Sequence, residues 1–78
     1  MPTVFRSGPF RFFFDAGDGG EPPHVHVERD DCEAKFWLDP VRLERSHGFP
    51  AKEINRLAEL IEQHESELLE KWNEFFGG

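Results

Sequence analysis

Apolar and polar residues follow two different periods along this chain, and the change of period divides it in two. His24-Val25-His26-Val27-Glu28 alternates strictly, the pattern of a strand with one face turned to a core. Glu33-Ala34-Lys35-Phe36-Trp37-Leu38 reads as the next strand. Upstream, Val4-Phe5-Arg6 is a short extended piece, and Phe10-Arg11-Phe12-Phe13-Phe14 is aromatic and β-prone. Val41-Arg42-Leu43-Glu44 could add a short edge strand after Asp39-Pro40, where proline has no N–H for a ladder. Ser7-Gly8-Pro9, Asp15 to Pro23 and Asp30-Asp31-Cys32 are rich in turn formers.

From Pro50 the period becomes helical. Ile54, Leu57, Ala58, Ile61, Leu68, Trp72 and Phe75 recur at three or four residues or multiples of that step. They stay in phase to Phe76, so one helix over 50–76 is the simplest expectation. Pro50 suits a first turn, and Gly77-Gly78 a stop. Gln63-His64-Glu65-Ser66 is the least apolar stretch and the place for a break. The expected fold is α+β, a single domain over 1–78. A three- to four-stranded antiparallel β-meander over 1–45 packs on one long C-terminal α-helix.

The two middle strands suggest a hairpin around Asp31-Cys32, pairing residues whose numbers sum to 63. Glu28 then faces Lys35, His26 faces Trp37 and Val25 faces Leu38. One face carries Val25, Val27, Ala34, Phe36 and Leu38, joined by Phe12 and its neighbours Phe10 and Phe14, and packs on the helix. The other carries His24, His26, Glu28, Lys35 and Trp37, with Arg11 and Phe13.

Composition narrows the setting. One cysteine, Cys32, forbids an intrachain disulfide and a four-thiolate zinc site. That fits a reducing, cytoplasmic location. No apolar run is long enough to span a membrane, and the N-terminus has no signal-peptide pattern. The net charge of −7 opposes phosphate backbones, so nucleic acid is not the expected partner. Residues 1–49 hold six Lys/Arg against nine Asp/Glu, and residues 50–78 hold three against seven, so a basic patch on the first part stays open.

The candidate chemistry lies on the polar face. His24 and His26 sit two apart on a strand and project the same way, roughly 7 Å apart. That spacing suits two ligands of one divalent metal, or an acid and base pair, with Glu28 as a third ligand or orienter. Asp15, Asp18 and Glu21 of the preceding loop, and His47 before the helix, are further candidate ligands. No cofactor is required by the pattern. Two histidines fall short of the triad of nucleotide hydrolases, and the chain has no tyrosine for an HUH-type nuclease. The structural alternative is a pair of half-exposed sheet histidines beside Trp37. Arg11, Phe13, Lys35 and Trp37 form the candidate binding surface, since exposed aromatics anchor interfaces. The residues leave three readings open: a partner-docking module, a small metal-assisted hydrolase or nuclease, and a non-catalytic metal-binding domain.

Arg11-Phe12-Phe13-Phe14, Gly20-Glu21-Pro22-Pro23-His24-Val25-His26-Val27, Ala34-Lys35-Phe36-Trp37-Leu38 and His47-Gly48-Phe49 together carry a recognisable pattern. The C-terminal Leu-Leu-Glu-x-Trp-x-Glu-Phe-Phe extends it. On these runs the chain resembles the bacterial domain-of-unknown-function family 4160 over nearly its whole length. It departs from the common pattern at Pro50, where a capping serine is usual, and at Cys32, where a turn glycine is usual. The resemblance implies a product of a short two-gene operon of toxin–antitoxin type. A small protein from the adjacent gene is then the expected partner, with homo-oligomerisation the other option.

Overall fold

The computed structural model describes residues 3–77. Expectations that fall on Met1, Pro2 and Gly78 lie outside the described residues. Five strands form one antiparallel meander in sequence order: β1 (Thr3–Ser7), β2 (Phe10–Phe13), β3 (His24–Arg29), β4 (Cys32–Leu38) and β5 (Val41–His47). A 3-10 turn (Ala16–Gly20) lies between β2 and β3. Helices α1 (Ala51–Gln63) and α2 (Glu65–Phe76) complete the chain. The α+β class stands, with five strands in place of three or four and two helices in place of one. No helix among the described residues is long and apolar enough to cross a membrane.

The helix divides within the stretch that sequence marks as least apolar. His64 leaves helical geometry (φ −113°, ψ 16°) and separates α1 from α2. Its ring packs on Phe5 of β1 at 4.4 Å between centroids, and its Nδ1 lies 3.3 Å from the Glu67 carboxylate. These contacts lie at the break, which holds no proline or glycine. Leu57 and Ile61 of α1 and Leu68 and Trp72 of α2 remain in the core. Phe75, expected in the apolar stripe, is 44 % exposed, and Phe76 takes the inward position against Trp72 and Phe14.

The sheet faces follow the alternation. Phe10, Phe12, Phe14, Val25, Val27, Ala34, Phe36 and Leu38 are buried together with the helix residues. Burying such side chains is the main favourable term in a chain this small.

The register differs from expectation by two residues. Val25 faces Phe36, His26 faces Lys35, His24 faces Trp37 and Glu28 faces Glu33. The turn is therefore Asp30-Asp31, with Cys32 inside β4. Asp30 takes φ +52°, a left-handed conformation that aspartate tolerates better than cysteine. A two-residue shift returns every side chain to its own face, so the pattern of faces could not reveal it. The like-charged Glu28–Glu33 pair is relieved by Arg11, whose Nη1 lies 2.7 Å from Glu28 Oε1.

Gly48 links β5 to α1 at φ +88°, and a Cβ there would sit 3.0 Å from Cys32 Sγ. Gly48→Ala is expected to destabilise the fold by about 1–2 kcal/mol through left-handed strain alone. Gly17→Ala, with nothing within 4 Å of the added Cβ, should leave the urea midpoint nearly unchanged. Equal midpoints for the two variants would refute the strain assigned to Gly48.

A histidine pair beneath an acidic loop

The face opposite the helices is covered. The loop between β2 and β3 folds back over β3 and β4, and its acidic side chains land on basic ones. Asp18 Oδ2 lies 2.8 Å from His26 Nε2 and 2.8 Å from His24 Nε2. Glu21 Oε1 lies 2.7 Å from Lys35 Nζ. The Asp15 backbone N–H donates to the same Asp18 oxygen at 3.1 Å. Asp15 Oδ2 stands 3.9 Å from His26 Nε2. His24 is fully buried, and His26 and Lys35 nearly so.

Aromatic rings wall the histidines. His26 stacks on Phe13 at 5.2 Å, and His24 meets His26 edge-on at 5.1 Å. Trp37 of β4 and Trp72 of α2 approach His24 at 5.6 and 5.0 Å. Trp72, read from sequence as core alone, thus also closes one side of the site. The loop can sit close to α2 because Gly19 has no Cβ: one there would be 3.0 Å from Phe76 Cδ1. Glycine here serves close approach rather than a special backbone angle.

His24 shows an unbalanced account. Its Nδ1 lies 2.9 Å from the Pro22 carbonyl. Its Nε2 is buried without a hydrogen-bond partner, because the contact with Asp18 has bond length but not bond alignment. Such a group is costly in a low-dielectric interior.

The carboxylates feel their partners. Burial pushes the Asp18 carboxyl upward, and the His26 and His24 side chains with the Asp15 amide outweigh it, so the net shift is downward. The Lys35 ammonium bonded to Glu21 holds that carboxyl below the ordinary 4.5.

Asp18, His24 and His26 offer three donor atoms that all lie within 4.8 Å of one another, a set able to hold a metal ion. From sequence, Asp18 is one of three candidate loop carboxylates. Its signal was its place three residues before Glu21, which puts two acids within reach of two neighbouring strands. Glu28 lies in an ion pair with Arg11 and stands outside this set. His47 lies at the end of β5, opposite Glu33, and is exposed. The expected binding surface is divided. Phe13 and Lys35 are buried, which corrects the expectation that Phe13 is an exposed anchor. Arg11 is bonded to Thr3 and Glu28, with its guanidinium over the Phe13 ring. Trp37 stays half-exposed, its Nε1 donating to Glu44 Oε1 at 3.2 Å.

The fold and site define a class of small α+β domain in which a five-stranded meander is backed by helices and capped by an acidic loop over a histidine pair. The chain belongs to the family described as Domain of unknown function (DUF4160), whose model matches residues 9–73. No curated protein matches it, and no solved structure does.

The Glu21–Lys35 bond gives a pH-dependent expectation. Because the folded carboxyl titrates below 4.5, the bond stabilises the fold above that pH and is lost as pH falls through the depressed value. Glu21→Gln is therefore expected to lower the urea midpoint by more at pH 7 than at pH 3. A difference from wild type that is the same at both pH values would show that Lys35 draws nothing from the charge.

Proposed function

We propose that this chain is a protein-binding, regulatory module of a two-gene bacterial operon, and that it docks the product of the adjacent gene along β5. The observation that carries this reading is the contrast between the sheet's two edges. β5 is a seven-residue edge strand whose residues from Arg42 to His47 are all exposed, with Leu43 at 39 %. The opposite edge, β1, is tied to α2, where Lys71 Nζ donates to the Val4 carbonyl at 2.9 Å. An open edge with an exposed apolar side chain suits addition of a partner's strand. Trp37 lies beside it, opposite Arg42.

The partner is read as another protein rather than a second copy. A register irregularity interrupts the β4–β5 pairing, with Lys35 opposite Arg45 and Phe36 opposite Leu43. The bend this produces hinders flat pairing of like edges. The cytoplasm is the setting proposed, in keeping with a single free cysteine.

The alternative is a small metal-assisted hydrolase or nuclease built on His24 and His26. The donor set around Asp18 favours it, and the burial of both rings counts against it, since a catalytic centre must admit substrate.

Size-exclusion chromatography of the chain with and without the adjacent gene product tests the first reading. A complex should form, and Leu43→Lys, which circular dichroism should show folded, should weaken it at least tenfold. Absence of any complex sinks this reading. Cleavage of nucleic acid or ester substrates that disappears on replacing both histidines by alanine would establish the alternative instead.

A further inference from the structure

We propose that Asp18 Oδ2, His24 Nε2 and His26 Nε2 bind one divalent transition-metal ion of the zinc class, which staples the β2–β3 loop to the sheet. The inference stands apart from the docking function and rests on proton accounting at His24.

A carbonyl oxygen only accepts. With Pro22 O at 2.9 Å, the His24 ring carries its proton on Nδ1 and donates it there. The neutral ring then has a bare lone pair at Nε2. Nε2 itself sits 2.8 Å from Asp18 Oδ2, also an acceptor, in a fully buried position. Two electron-rich atoms at this distance with no proton between them repel in a low-dielectric interior. A second proton on the ring would restore charge balance, but its N–H does not point along the contact, so Nε2 has no hydrogen-bond partner. A cation among the three donor atoms satisfies the set together.

The surroundings match such a centre. A metal-bound histidine commonly donates its other ring N–H to a backbone carbonyl, which fixes tautomer and ring angle. His24 does this through Pro22. His26 is braced by Phe13 at 5.2 Å and its Nε2 also points at Asp18. Donors on one zinc ion are roughly 3.0–3.4 Å apart, so the present 2.8 Å contacts need open by only about half an ångström. Asp15 Oδ2, 3.9 Å from His26 Nε2, is the next carboxylate available for a fourth position.

The donor types set the class of ion. Two imidazoles and a carboxylate suit Zn²⁺, Co²⁺ and Ni²⁺, whereas Mg²⁺ and Ca²⁺ prefer oxygen shells. Uptake displaces the proton by which His26 bonds Asp18. All three ligands lie within nine residues of chain, so the ion closes a short loop.

The test uses the full chain purified without a histidine tag and stripped by chelator. Calorimetric titration with Zn²⁺ should give one ion per chain, no response to Mg²⁺, and a raised melting temperature. Co²⁺ should give visible absorption bands of a low-coordinate nitrogen–oxygen site. Nitrogen-15 NMR of the imidazoles should show Nε2 of both His24 and His26 shifting on Zn²⁺ addition, with His24 Nδ1 keeping its proton. Asp18→Asn and His26→Gln should each weaken Zn²⁺ binding at least a hundredfold, while His47→Gln and His64→Gln leave it unchanged. Should a ligand variant fail to fold, the wild-type NMR titration decides alone. Stoichiometry well below one, undisturbed His24 and His26 nitrogens, or loss of binding through His47 or His64 would each overturn the proposal.

Discussion

One carboxylate oxygen organises the polar side of this molecule. Asp18 Oδ2 has two imidazole nitrogens at 2.8 Å and a backbone amide at 3.1 Å. It holds a glycine-rich loop against a sheet face that would otherwise present two histidines, a lysine and a phenylalanine to water. The loop has almost no apolar content of its own, so hydrophobic burial cannot keep it in place. Polar contacts and the Phe76 ring against Gly19 do so. Buried polar clusters of this kind specify geometry only when every member is satisfied. The unmet nitrogen of His24 is therefore the point on which the whole face turns.

The apolar side depends on a different constraint. The stripe of α1 and α2 must meet the sheet along its length. Beyond the break at His64, Trp72 of α2 lies 5.3 Å from Phe14 and 5.0 Å from His24. α2 thus joins the two sides of the domain. The hydrophobic core and the histidine cluster share Trp72.

Much of this was legible in the sequence. Alternation from His24 to Glu28 assigned both faces, because a half-buried strand has a period of two and no freedom to place a valine and its neighbour alike. The same period hid the register, since even shifts leave faces unchanged. The decision fell instead to one backbone angle at Asp30. The helix break was legible as a polar interruption, though the Phe5 ring that packs on His64 there is 59 residues away in the chain. Contacts of that separation leave no local pattern. The covering loop was legible least. Gly-Asp-Gly-Gly-Glu-Pro-Pro reads as a connection. Its role appears only when Asp18 and Glu21 are set against His24, His26 and Lys35 across the fold.

That covering also changes what the exposed surface can mean. Phe13 and Lys35 are enclosed, Lys35 bonded to the chain's own Glu21 and Phe13 stacked on His26. The surface left open is the edge strand β5, exposed from Arg42 to His47. Strand addition draws affinity from main-chain bonds and specificity from the side chains that alternate beside them. Trp37 borders both regions: its ring lies 5.6 Å from His24, and its Nε1 bonds Glu44 on the edge strand. Any rearrangement of the histidine cluster that shifts this ring reaches β5 through its bond to Glu44. The buried cluster and the open edge are in this way two ends of one short physical connection.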